Sequence, residues 1–269
     1  MKKIILFFLI TFTLSVFGQE EIEFKITYLP NHQYTFSQKQ YTENIATIIA
    51  SEEILEDLKS NGLENPQITR NTILIKSISR TGALTDEVIP FEIEVLESKG
   101  TLETGIKFLA TATGPKVTID SILSPTMTEE EKETLMASME SIMRQIEYPD
   151  RKIKVGESFQ LKNPLSIPIG EKIIEMEITS VYTLTKVHNG IANFNLQELY
   201  TLKTEIKDHP VKADGKSNGH VEYDIEKQFF KSYFCDIDIN MEMDFDYFLI
   251  ELQGKIKFEQ NTEILEIGQ

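Results

Sequence analysis

Cysteine occurs once in the 269 residues, at Cys235. A single thiol cannot close an intramolecular disulfide, and its distance from the N-terminus excludes a lipid anchor on an N-terminal cysteine. Histidine is nearly as scarce. His32, His188, His209 and His220 include no pair at the i, i+4 spacing that a helical zinc-protease site requires. Basic residues are outnumbered, 27 Lys and Arg against 43 Asp and Glu, for a formal charge of −16. That balance argues against nucleic acid and anionic membranes, because both reward a basic patch. The chain has no Gly-x-Ser-x-Gly, no phosphate-binding glycine loop and no basic–aromatic array. Carboxylates are too numerous for spacing to single out a catalytic pair. No catalytic residue, cofactor site or metal site is therefore expected.

Long apolar runs are also missing, with one exception. Lys2 and Lys3 precede an apolar stretch from Ile4 to Phe17, and Val16 and Gly18 suit the −3 and −1 subsites of a signal peptidase. The stretch is short for a spanning helix, which needs about 20 apolar residues. Residues 1–18 thus read as a cleavable signal with Gln19 as first mature residue. The mature protein is expected to be secreted or periplasmic and not membrane-spanning.

What fills the remaining chain is two-residue alternation, the mark of strands with one buried face. From Glu175 onward, Met176, Ile178, Tyr182 and Leu184 share a side. After His188-Asn189-Gly190, Ala192, Phe194, Leu196, Tyr200 and Leu202 resume it. Asn-Gly tolerates positive φ at both centres of a type I′ turn, so this is a hairpin. Further strands are expected at Glu21–Leu29, Gln33–Thr42, Thr72–Arg80, Val88–Glu97, Thr101–Ala110, Lys116–Ile122, Lys154–Leu161, His220–Asp224, Gln228–Asp246 and Ile250–Ile267. The polar segment Lys207–Gly219, with Pro210, Gly215 and Gly219, reads as an exposed loop.

Two segments carry helical periodicity instead. Thr128 and Glu131 form a capping box, and Leu135, Met136, Met139, Ile142, Met143 and Ile146 follow on one stripe, giving a helix over about Glu129–Glu147. A shorter helix fits Glu52–Ser60, capped by Ser51 and stopped by Asn61-Gly62.

The segment Phe234–Phe248 places an acid or amide at every even position from Asp236 to Asp246. Its Asp-x-Asp-x-Asn opening fails as a calcium loop, since Met241 replaces the needed glycine and Tyr247 the bidentate Glu. On a strand, same-face side chains stand about 6.8 Å apart and parallel, so they cannot converge on one ion. Neighbouring unit charges at that spacing repel by only roughly 0.6 kcal/mol in water, and Lys255 and Lys257 are placed to offset it. The row is a solvated face. Behind it, Met241 and Met243 lie on an apolar stripe.

The stretch Tyr148-Pro-Asp-Arg-Lys-Ile-Lys-Val-Gly-Glu-Ser-Phe159, with Pro164–Pro168 and Val181–Ala192, resembles a family of secreted Gram-negative bacterial proteins of unknown function. The family pattern runs Phe-Pro-Asp, a spacer, then Val-Lys-Val-Gly-Asp-Ser-Trp. Here Tyr148, Glu157 and Phe159 replace its Phe, Asp and Trp. The resemblance implies a β-rich fold and an exported location. It brings no activity.

Together these readings predict a mainly β protein. Long antiparallel strands form one or two strongly curved sheets or an incomplete barrel, with one long amphipathic helix and one short helix packed on the sheet. The expected lobes are residues 19–149, ending in the long helix, and residues 150–269. The expected function is non-catalytic binding of an apolar ligand, a lipid or acyl chain, or of an envelope partner. Met136, Met139, Met143, Met241 and Met243 are the candidate contacts, because methionine adapts to irregular apolar surfaces. The alternative is a structural or interaction module of the envelope without a small ligand. A hydrolase ranks third.

Overall fold

The computed structural model describes residues 20–99, 102–143, 148–169, 172–203 and 210–268. In chain order the elements are β1 (Glu21–Phe24), β2 (His32–Ala50), α1 (Glu52–Ser60), β3 (Gln67–Thr81), β4 (Ile89–Lys99), β5 (Lys107–Thr113) and β6 (Lys116–Leu123). Then follow α2 (Glu129–Met143), β7 (Arg151–Lys154), β8 (Ser158–Ile169), β9 (Lys172–His188), β10 (Ile191–Leu202), β11 (Val211–Asp224), β12 (Phe229–Asp244) and β13 (Phe248–Glu266).

Eleven strands make one antiparallel sheet in the order β6-β5-β4-β3-β2-β13-β12-β11-β10-β9-β8. The sheet does not close, and β6 and β8 are its edges. At its centre β2 and β13 pair without interruption from His32↔Glu266 to Ala50↔Phe248. These two strands come from opposite sides of residue 149, where the two lobes were expected to divide. A separate two-stranded sheet joins β1 to β7, with Ile22 opposite Ile153.

Side-chain alternation assigns one face of the large sheet to the core. On β12, Cys235, Met241 and Met243 are buried and Ile237 and Ile239 half-buried, while Asp236, Asp238, Asn240 and Asp244 are exposed. The β9–β10 hairpin turns on Asn189 (φ 49°) and Gly190 (φ 78°), the positive pair that matches strand twist.

The core face carries three apolar clusters. One lies under β1 and β7, where Phe24 and Ile153 meet Phe159, Tyr182, Phe194, Tyr223 and Phe230. A second lies on β4–β6, where Phe91, Val95, Phe108, Ile119 and Ile122 receive Leu135, Met136 and Met139 of α2. A third, with Ile174, Met176, Tyr200, Met241 and Met243, continues the first toward the far ends of β9, β10 and β12. Tyr28 packs on the second cluster, with its ring 4.9 Å from Phe91 and 5.3 Å from Phe229 at the start of β12. By contrast, α1 buries none of its residues, and its N-cap Ser51 makes no side-chain capping bond.

Four strand expectations need correction. The strand expected over Lys154–Leu161 is divided, with Lys154 ending β7 and Ser158 opening β8 in the other sheet, and the one expected over Thr101–Ala110 begins at Lys107. The segment expected as a loop over Lys207–Gly219 is a strand from Val211, paired on both sides. Its glycines are there for close approach: a Cβ on Gly219 would meet Phe234 O at 2.1 Å, and one on Gly215 would meet Asp238 O at 2.9 Å. The strand expected over Glu21–Leu29 stops at Phe24, and residues beyond it cross the core face to Tyr28.

Candidate functional site

A cleft opens where the chain leads into α2. Its walls are Leu102 and Ile106 from the β4–β5 connection, Met127, and Glu130, Thr134 and Leu135 of α2, with Glu103 and Glu131 at the rim. Its volume is about 550 Å³, within the range of small-molecule pockets. Ile106 is buried beneath it and ties the floor to the β4–β6 cluster.

Hydrogen bonds fix the lead into α2. Ser124 Oγ donates to Glu103 Oε2 at 3.2 Å, and Thr126 Oγ1 donates to the same oxygen. Met127 N donates to Ser124 Oγ at 3.1 Å. The capping box then closes: Thr128 N donates to Glu131 Oε2 at 2.8 Å and Glu131 N to Thr128 Oγ1 at 3.3 Å. These bonds from Thr128 hold the Glu131 carboxyl below its ordinary value. Two rim carboxylates are thereby fixed in place around an apolar floor.

The five candidate methionines do not converge. Met136 and Met139 pack on the β4–β6 cluster behind the cleft. Met241 and Met243 belong to the cluster on β9, β10 and β12. Met143 ends α2, and its side chain lies outside the described residues.

The even-numbered row of β12 is solvated on the outer face. Asp236 stands opposite Lys257, and Asp238 between Lys216 and Lys255. Lys212 Nζ reaches Glu242 Oε1 at 2.5 Å. A hollow of about 290 Å³ beside this row is lined mainly by charged and amide side chains, Lys212, Asp214, Asn240, Glu242, Glu251 and Gln253. Charged walls on an exposed face make it a poor receptor for an apolar molecule. Among the described residues no group of three His, Cys, Asp or Glu could hold a metal ion. The histidines are apart: His32 Nδ1 lies 2.7 Å from Pro30 O, His220 stacks on Phe234, His188 is exposed, and His209 lies outside the described residues.

A second centre escaped the sequence reading. On β10 the core-facing positions run Phe194, Leu196, Glu198, Tyr200, and the acid at 198 stands where an apolar residue belongs. Ser180 Oγ donates to Glu198 Oε1 at 2.9 Å, Tyr200 OH to Oε2 at 3.0 Å, and Tyr233 OH more loosely at 3.4 Å. Register puts Ser180, Glu198, Ser217, Ile237 and Ile256 on one line across five strands. Ser217 is 2% exposed, and its side-chain hydrogen-bond partner is the neighbouring Cys235 thiol, at a looser geometry than the other bonds of this centre.

Burial raises every titrating hydroxyl around Glu198. Tyr200 and Tyr233 are pushed far above the ordinary phenol value, first by desolvation and then by neighbouring charge. Tyr148 rises to about 12 and the Cys235 thiol to about 12, again chiefly by desolvation. All are neutral at pH 7, and Tyr200 and Tyr233 donate to Glu198. The signal for this centre was in the sequence: an acid in phase with an apolar alternation. The place of Ser217 was not, because β11 read as loop.

No family model and no curated protein matches the chain. Among solved structures the chain is similar to the outer membrane protein OprG from Pseudomonas aeruginosa. The identity is 6%, covering 91% of this chain and 99% of that one, with a TM-score of 0.23. The matched structure is that of an outer membrane protein, which is at odds with the secreted or periplasmic location expected from the leader. A likeness at that TM-score carries no argument about this chain's fold or function. Among the described residues no helix is long and apolar enough to cross a membrane.

Proposed function

We propose that the protein is a non-catalytic binding protein that takes an apolar ligand in the cleft at the start of α2. The observation that carries this reading is the cleft itself: about 550 Å³, floored by Leu102, Ile106, Met127 and Leu135 and backed by a filled cluster. The methionine and leucine walls suit a flexible chain better than a rigid polar metabolite.

The test is a titration with a fluorescent long-chain acyl probe. Saturable one-to-one binding is expected, and Leu135→Glu, which sets a charge in the floor, weakens it by about tenfold or more. Binding unchanged by Leu135→Glu, or no saturable binding at all, removes this reading.

A second reading, an interaction module, is favoured by exposed apolar residues beside α1. Leu63, Ile68 and Ile49 are 51%, 46% and 46% exposed and cluster at one end of β2 and β3. If this surface is the functional one, Ile49→Ser with Ile68→Ser leaves acyl-probe binding intact and abolishes partner capture.

A further inference from the structure

We infer that a hollow on the outer face of the sheet, between Tyr41 and Phe234, binds an uncharged oligosaccharide. Strands β2, β3, β12 and β13 build it through Lys39, Tyr41, Thr72, Phe234, Lys257 and Glu259, and its volume is about 410 Å³. The site is independent of the cleft at α2, since α2 packs on the core face.

Three observations support it. First, two rings stand where polar side chains belong. Phe234 shares the wet face of β12 with Asp236, Asp238 and Asn240, and Tyr41 shares that of β2 with Ser37, Lys39 and Glu43. Both are half-buried, and neither joins the three apolar clusters of the core face. His220 stacks on Phe234 from the β11 side at 5.2 Å, which steadies the ring and leaves its β13 side to the hollow. Second, register sets the two rings two strands apart, with β13 between them. Two strand spacings are about 9.6 Å, so a short chain of sugar rings can rest on both. Third, the charged groups between the rings are uncommitted. Glu259 stands opposite Lys39 and Lys257 opposite Asp236, yet among the described residues none of these four forms an ion pair. Asn261 Nδ2 donates to Glu259 Oε1 at 3.2 Å and draws that carboxylate along its own strand.

The class of ligand follows from this mix. A planar anion would meet Glu259 and Asp236 as well as the lysines, and a cation would meet Lys39 and Lys257, so a charge of either sign gains little. A purely apolar chain would desolvate the lysines and Glu259 without giving them partners. A hydroxyl donates to a carboxylate and accepts from an ammonium, so one sugar uses both kinds of group at once. A pyranose also has a face of C–H groups, which suits the negative face of an aromatic ring.

The experiment is an NMR titration of the full chain with cellotetraose, maltotetraose and chitotetraose, beside 1-naphthoate as a planar anion. At least one tetrasaccharide is expected to bind saturably, with amide shifts centred on β2, β12 and β13. Its affinity stays the same when NaCl rises from about 0.05 to about 0.5 M, because no net charge is neutralised. Phe234→Ala removes one platform and weakens binding about fivefold or more. Tyr41→Ala does the same from the other wall, which serves as the second readout should the Phe234→Ala chain fold poorly. Asp214→Asn, in the other hollow of the outer face, leaves binding as it is. The inference is overturned if none of the three tetrasaccharides binds saturably, or if 1-naphthoate binds more tightly than all of them. It is overturned equally if an alanine variant with the parent's circular dichroism binds as tightly as the parent. The tetrasaccharide is not expected to displace the acyl probe from the α2 cleft, so neither result decides the other.

Discussion

Phe24 belongs to a four-residue strand, yet its ring is fully buried and lies 4.9 Å from Tyr223, 5.0 Å from Phe159 and 5.5 Å from Phe194. It clamps the small β1–β7 sheet to the large one. Truncation there leaves a hole bounded by aromatic rings that cannot all move inward. Phe24→Ala is expected to cost about 3–5 kcal/mol in denaturant unfolding, while Leu199→Ala, at a 56% exposed position, costs at most about 0.5 kcal/mol. A loss below about 1 kcal/mol for Phe24→Ala would mean that the clamp contributes little. At this scale the sequence was informative about faces and silent about partners. Alternation placed Met176, Tyr182, Leu184, Phe194 and Leu196 correctly on the buried face. It also held the sign of the Glu198 centre, an acid in an apolar phase. It could not show that Ser217 stands opposite, because that depends on a pairing between strands.

The elements that were legible are those written in local chemistry. Asn189-Gly190 fixed a hairpin, and the Thr128–Glu131 box fixed the start of α2, each within four residues. The elements that were missed are those whose cause is distant. Gly215 and Gly219 look like breakers until Phe234 and Asp238 press against them from β12. Nothing within residues 21–29 announces that β1 ends at Phe24 to pair with β7, some 130 residues away. The capping box also yields a pH prediction. Glu131 has its folded value lowered by bonds from Thr128. A lowered carboxyl contributes stability above its unfolded value and loses that contribution as pH falls through the folded one. In an NMR titration the Thr128 amide should therefore shift with a midpoint below the ordinary 4.5 for Glu, and Glu131→Gln should abolish the shift. A midpoint at or above 4.5 would show that the box is not formed in solution.

At the scale of the whole molecule, an open sheet of eleven strands poses a problem that a closed barrel does not. Both edges present unpaired backbone groups, which are templates for further strands. The two edges answer differently. On β6, Leu109 pairs with Ser121 and Ala110 with Ile119, so Asp120 is an extra residue that bulges the edge and carries an exposed charge. On β8, Pro164 and Pro168 stand at positions of the same parity opposite Glu177 and Ile173. Proline is tolerated in a sheet where its missing N–H would face away from the ladder. The pair thus deletes two outward donors from the open side of β8. Restoring them should make the edge adhesive. Pro164→Thr with Pro168→Thr keeps strand propensity high and adds two donors four residues apart, on the spacing of an antiparallel ladder. The double variant is expected to fold with the parent's circular dichroism and to sediment as a larger species whose proportion rises with concentration. Asp120→Val on the opposite edge should do the same more weakly, because the bulge remains. Sedimentation indistinguishable from the parent for both variants would show that the edges are guarded by something other than these residues.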